Sequence, residues 1–224
     1  MNWQDKGFLI SRNKYNENSI ISEFYTENHG KITGTIFGAT SKKIKNYLLV
    51  GNKFHLNFNS KQENKIGYFK VEIDRFYTPL YLEDKKKLYC IIYAMNILKI
   101  LTVENQENKK IYLLINNFFD LLSKKNWLVN FIFWELEIFK ILGYDINFND
   151  YVKNKIINGD KKFVVESNNK IIPNFLVKKE TLINNRSEII NGFKIVGDFL
   201  DKTILKPNNI NYPISQYEFI NLIK

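Results

Sequence analysis

Residues 11–43 read SRNKYNENSIISEFYTENHGKITGTIFGATSKK. Two runs of alternating residues, Ser19–Thr26 and Lys31–Phe37, meet at the sharp turn Glu27-Asn28-His29-Gly30. Alternation with period two marks strands that bury one face. In the second run Ile32 and Ile36 point inward while Thr33 and Thr35 point outward. The strand then feeds a basic tract, Ser41-Lys42-Lys43-Ile44-Lys45.

The same alternation continues on both sides. A strand is expected at Gly7–Arg12, and two more follow at Lys53–Asn59 and Phe69–Asp74, where Phe54, Leu56 and Phe58 share one face. Five short antiparallel strands must hide their edges, and a small closed barrel of the OB type is the economical solution. At Thr78-Pro79 the texture changes, because proline disfavours helix in the residue before it. Beyond this joint Leu88, Ile91, Ile92, Met95, Leu98 and Leu101 recur at helical spacing behind the acidic start Glu83-Asp84. Further helices are expected at Ile111–Ser123 and Leu128–Leu142, the latter capped by Gly143, and shorter ones at Lys179–Asn184, Ser187–Leu200 and Ile214–Ile223. The polar tract 145–173 reads as a loop with at most a hairpin at Lys162–Val165 and Lys170–Ile172. The fold class is α+β: a five-stranded OB-type barrel in residues 1–79, then a mostly α-helical domain in 80–224.

The formal net charge of +10 favours polyanionic partners. Arginine is scarce (Arg12, Arg75 and Arg186), and asparagine and isoleucine are abundant, a skew that A/T-rich codons produce. The placement of the lysines therefore informs more than their number. A single cysteine, Cys90, excludes an internal disulfide and any cysteine-based zinc site; it sits in an apolar helical run and reads as a buried, inert thiol. The greasiest run, WLVNFIFWELEIFKIL, carries Glu135, Glu137 and Lys140 and is too short to span a bilayer. With no secretory signal before the first strand, the expected location is cytoplasmic and associated with the nucleoid.

Enzymatic signatures are missing from the sequence. No phosphate-binding glycine loop opens a helix. His29 belongs to a turn, His55 to the polar face of a strand, and Glu135 and Glu137 stand two apart on a helix and diverge. No cofactor and no metal are expected, and the chain reads as a non-enzyme.

Binding features are stronger. Residues 1–79 hold twelve Lys/Arg against seven Asp/Glu. Arg12 and Lys14 follow the first strand, Lys31 opens the third, Lys42, Lys43 and Lys45 form the next loop, and Lys53 and Lys70 stand on outward strand positions. Converging cations of this kind follow a phosphate backbone without reading sequence. Aromatic residues are interleaved, and Tyr15, Tyr25 and Phe37 are the candidates for stacking on bases, with Tyr47 and Tyr68 nearby in the sequence.

These residues carry a family resemblance. Arg12-x-x-x-Tyr15-x-Glu17, Phe24-Tyr25-Thr26 before Glu27-x-x-Gly30, and Phe37-Gly38-Ala39-x-Ser41-Lys42-Lys43 resemble the N-terminal motifs of RecO, a bacterial recombination-mediator family. Trp134-Glu135-Leu136 with Leu142-Gly143-Tyr144 resembles that family's helix ending in leucine-glycine-tyrosine. The resemblance implies DNA repair and recombination: binding of single- and double-stranded DNA, annealing of complementary strands, and help in loading RecA onto DNA coated by single-stranded DNA-binding protein. The implied partners are DNA, RecR, the acidic C-terminal tail of the coating protein and, indirectly, RecA, with no membrane. Arg12, Lys31, Lys42, Lys43 and Lys45 fall where the family is basic. Lys178, Lys179, Arg186 and Lys206 are the candidates to meet the acidic tail in the helical domain.

Two departures accompany the resemblance. Many members carry a four-cysteine zinc site after the leucine-glycine-tyrosine segment, where this chain reads DINFNDYVKNKIINGDKKF, so the zinc site is lost. The C-terminal Pro213-Ile214-Ser215-Gln216 lacks the arginine often found there. The alternative reading is a protein-interaction scaffold with an OB-type docking domain.

Overall fold

The first strand, β1 (Asn2–Lys14), is long enough to pair with two neighbours in turn. The structure, a computed structural model, describes residues 1–61, 66–157, 159–165, 170–183 and 185–224. The N-terminal half of β1 pairs antiparallel with β4 (Lys53–Asn59), from Asn2↔Asn59 to Phe8↔Lys53. Its C-terminal half pairs with β2 (Ser19–Thr26), from Gly7↔Thr26 to Lys14↔Ile20. A register shift between Leu9 and Ser11 marks the bulge that bends the strand from one partner to the other. β3 (Gly30–Phe37) continues the sheet from β2, and β5 (Gly67–Arg75) pairs with β4. A short parallel pairing, Gly34↔Gly67 and Thr35↔Tyr68, joins β3 to β5 and closes a barrel of order β1-β2-β3-β5-β4. All five expected strands are present. At the closure a Cβ on Gly34 would lie 2.5 Å from the Phe69 ring, so only glycine fits.

Leu9, Phe24, Ile32, Ile36, Phe54, Leu56, Phe58 and Phe69 fill the barrel. Phe69 packs edge-on to Phe24 at 5.0 Å and tilted on Phe58 at 5.0 Å. Burial of each such side chain contributes about 1.5–3 kcal/mol. The basic tract expected as a loop contains one helical turn, α1 (Lys42–Lys45), because Ile44 and Tyr47 pack against the barrel core.

Contacts divide the chain into two compact units, Met1–Ile115 with Pro213–Leu222 and Asn116–Tyr212 with Ile223–Lys224. The first unit extends past the joint expected at residue 79. There the main chain makes a 3-10 turn, Thr78–Tyr81, and Asn52 Oδ1 accepts from the backbone N–H groups of Tyr77 and Thr78 at 2.9 and 3.1 Å. α2 (Lys85–Leu101), capped by Asp84, packs on β1. α7 (Ile214–Ile223) returns to α2, with Phe219 stacked on Tyr93 at 5.9 Å and Ser215 accepting from Asn96 at 3.0 Å. α2 therefore buries more than the expected stripe: Cys90, Tyr93, Ala94 and Ile97 are covered, whereas Ile92 is exposed.

α3 (Lys109–Leu122) begins in the first unit and ends in the second. The second unit contains α4 (Trp127–Ile141), α5 (Asn174–Lys178) and α6 (Arg186–Phe199). Phe131 stacks on Trp134 at 5.5 Å and meets Phe193 at 6.1 Å. The tract read as a loop holds a three-stranded sheet of β6 (Val152–Ile157), β7 (Asp160–Val165) and β8 (Ile171–Ile172). β6 escapes notice because lysine and asparagine interrupt its alternation. The helix expected at Lys179–Asn184 is displaced to α5. Pro173 caps its start, and Lys179, at φ +57°, ends it; residues 179–183 are not helical and Asn184 lies outside the described residues.

Candidate nucleic-acid interface

Strand register decides which of the candidate side chains meet. Lys14 pairs with Ile20, and Ile20 with Ile36, so the C-terminal ends of β1 and β3 share one rim, two strand spacings or ~10 Å apart. Arg12 and Lys14 are exposed at the end of β1, and Lys42 and Lys45 are exposed on α1 just after β3. The side chain of Lys43 lies outside the described residues. Gly38, at φ +69°, makes the left-handed turn that carries the chain off β3 toward α1.

Aromatic rings stand on the same rim. Phe37 is 62% exposed and Tyr15 63% exposed. The Phe37 and Tyr68 rings lie 5.9 Å apart, tilted by 54°. Tyr15 donates its backbone N–H to Ser19, whose register partner is Phe37, so the exposed rings follow one another across the strand ends. Sequence reading names Tyr68 among the interleaved aromatics but cannot pair it with Phe37, because their closeness depends on the parallel β3–β5 closure.

Four other candidates are placed differently. Lys31 is only 9% exposed, and its ammonium donates to the Lys99 carbonyl at 2.8 Å. Burial pushes its pKa down, against the pull of Glu23 and Glu104. Lys31 is thus a structural cation under the segment after α2, where Thr33 also bonds Glu104 and Asn105 N–H reaches the Lys31 carbonyl. Tyr25 is 1% exposed and belongs to the packed interior, so it offers no face to a base. Lys53 lies over the Phe8 and Tyr112 rings at 5.2 and 5.3 Å, and burial lowers its pKa. Lys70 is exposed, but it lines an open groove of about 870 Å³ in which Asp5, Glu27, Glu72 and Asp74 outnumber Lys6 and Lys70, a setting that disfavours phosphate.

Both histidines serve carboxylates in this part of the barrel. His29 Nδ1 lies 2.8 Å from Asp5, and its ring stacks on Trp3 at 4.0 Å. The Asp5 carboxylate also accepts from the Asn28 backbone at 2.9 Å and the Asn28 amide at 3.0 Å, which fixes the β2–β3 turn. No sequence signal points to Asp5, since its partners are distant along the chain. His55 Nε2 meets Asp74 at 2.8 Å, beside Lys6 at 3.5 Å from the same oxygen.

In the second unit, one of the candidate tail-binding cations lines a small cavity. Lys179 borders a pocket of about 160 Å³ with Phe133, Leu136, Phe148 and Leu176, where Lys140 stands beside Glu137 and Asp145. Lys178 pairs with Glu180 at 3.8 Å, Lys206 with Asp201 at 2.6 Å, and Arg186 Nε donates to the Ile223 carbonyl at 3.0 Å. Among the described residues no three His, Cys, Asp or Glu side chains converge on a metal position. The donor set does not fit zinc: the lone thiol, Cys90, is buried in α2.

Comparison with known proteins bears on most of the chain. Residues 1–76 match the family model described as Recombination protein O N terminal, and residues 82–202 match Recombination protein O C terminal. The chain is similar to the DNA repair protein RecO of Ehrlichia chaffeensis, 30% identical over 149 residues that cover 66% of this chain and 60% of the relative. It is 31% identical over 147 residues to the Rickettsia peacockii protein of that name, covering 66% of this chain and 62% of the relative. With the Roseobacter denitrificans protein the identity is 28% over 145 residues, 64% of this chain and 60% of the relative. The aligned stretch thus spans under two thirds of these relatives. Among the described residues no helix is long and apolar enough to cross a membrane.

Proposed function

The chain belongs to the RecO family of DNA repair and recombination proteins, and we propose that its barrel rim binds single- and double-stranded DNA and anneals complementary strands. The rim itself supports this reading: Arg12, Lys14, Lys42 and Lys45 are exposed together with Phe37 and Tyr15 at one end of a small barrel. Cations there neutralise the two backbones, whose repulsion opposes pairing, and the rings hold unpaired bases by stacking. The gain is positional and electrostatic, so no nucleotide, metal or covalent step is required.

The wider role in this reading is to help load RecA onto DNA coated by single-stranded DNA-binding protein, with RecR as partner, in the nucleoid-associated cytoplasm. The acidic tail of the coating protein is assigned to the second unit. Its apolar end suits the pocket of Phe133, Leu136 and Leu176, and Lys140 and Lys179, beside Glu137 and Asp145, are the cations there that can meet its carboxylates.

Annealing of complementary oligonucleotides, bare and coated, tests the proposal. The full chain is expected to exceed the spontaneous rate by at least tenfold. A rate equal to the spontaneous one would instead favour the scaffold.

A further inference from the structure

β6 reads VKNKII and β7 reads DKKFVV, so the ribbon they form carries Lys153, Lys155, Lys161 and Lys162 against one acid, Asp160. The strands pair antiparallel from Val152↔Val165 to Ile157↔Asp160 and turn at Gly159, where φ is +84°. In that register Lys155 stands directly opposite Lys162, and Lys153, two residues before Lys155, shares their face. Like charges directly opposite on a ladder destabilise it. Lys161 and Lys162 make no ion pair among the described residues, and Lys153, Lys155 and Lys161 are exposed.

The same ribbon holds at its base. Val164, which pairs with Lys153, is 1% exposed and also pairs with Ile171 of β8. The lysines are therefore displayed on a strand pair anchored at one end. Lys153 and Lys155 lie ~6.7 Å apart along β6, about the axial advance of two nucleotides of one strand.

We propose that the β6–β7 ribbon is a second contact for the nucleic-acid backbone, carried by the second compact unit and distinct from the barrel rim. It rests on the reading that this chain handles DNA. Its ligand is the phosphate chain of either a single strand or a duplex, recognised by charge without base readout. An anion beside Lys155 and Lys162 is attracted by both ammonium groups. Two phosphate-binding elements on one chain give it the means to hold two strands at once, as annealing demands.

The test uses the full chain with Lys155→Gln, Lys161→Gln and Lys162→Gln together, its folding checked by circular dichroism and thermal melting. Fluorescence anisotropy across a salt series with a thymidine oligonucleotide and a duplex is expected to show a log–log slope shallower by roughly two units, and annealing several-fold slower. A companion chain with Lys42→Gln and Lys45→Gln separates the two ideas. If the ribbon variant keeps the parent slope and annealing rate while the companion loses them, the ribbon proposal is overturned and the rim stands. If the ribbon variant alone loses slope, the ribbon stands and the rim falls. A parent chain with no salt-dependent DNA binding overturns both. A ribbon variant that loses affinity only for an acidic peptide also overturns the proposal.

Discussion

The ammonium of Lys31 donates to the main-chain carbonyl of Lys99 across 2.8 Å, 68 residues apart in sequence. The bond ties the opening of β3 to the last turn of α2, where unpaired carbonyls attract a cation. Lys99 in turn reaches Ser11 at 3.0 Å and Glu23 at 3.4 Å. This set of charges is partly buried within the first unit. Lys31→Met is therefore expected to lower stability by about 1–3 kcal/mol through the lost charge-assisted bond. DNA affinity and its salt slope should stay at the parent values in anisotropy titrations, and a shallower slope would return Lys31 to the interface.

Lys42, Lys43 and Lys45 leave the barrel on and around α1. Replacing all three by glutamine is expected to reduce the log–log salt slope of DNA binding by roughly two to three units, since each lost phosphate contact removes ~0.7–0.9. An unchanged slope would remove α1 from the interface.

The Phe37–Tyr68 pair, with rings 5.9 Å apart, makes a distinct prediction. Phe37→Ala is expected to weaken single-strand binding by about 1–3 kcal/mol while leaving duplex binding near the parent value, because only unpaired bases present a free face. Fluorescence of 2-aminopurine placed along the oligonucleotide reads the stacking directly. Equal losses for single strand and duplex would count against a stacking role.

For the second unit, titration calorimetry of the full chain with an acidic peptide ending in phenylalanine is expected to show binding. Lys179→Glu should weaken it about tenfold, because Lys179 borders the apolar pocket. Lys206→Gln should have little effect, as that ammonium is paired with Asp201 at 2.6 Å. The opposite ranking would move the site.

Alkaline pH should expose the packing of Tyr25. Burial, with help from Glu107, raises its pKa above the ordinary 10.0. The folded chain therefore keeps a proton that the unfolded chain releases. That contribution is complete below pH 10 and is lost as pH rises through the folded value. Thermal melts of Tyr25→Phe against the parent should differ by a constant amount below pH 10, with the parent losing ground above it. A constant difference at every pH would refute the assignment.

Five strands, their order in sequence and most helices are readable from residues alone, because alternation and helical spacing are local properties. Ser19–Thr26 and Lys31–Phe37 needed only the turn between them, and α7 falls at the expected Ile214–Ile223. β6 was hidden because two lysines and an asparagine occupy its six positions. The expected stripe on α2 includes Ile92, which is exposed, and omits Tyr93, which α7, distant along the chain, covers.

Charge and aromaticity, read from the sequence, nominated the binding residues, and tertiary structure sorted them. Lys31, Lys53 and Lys42 are identical in covalent chemistry. One lies under α2, one over the rings of Phe8 and Tyr112, and one faces water. The helices packed on the barrel set the first two environments, and the parallel β3–β5 contact brought Tyr68 to Phe37. Local sequence determined the elements and the supply of cations and rings. Which of them face solvent together follows from long-range register, which no local pattern encodes.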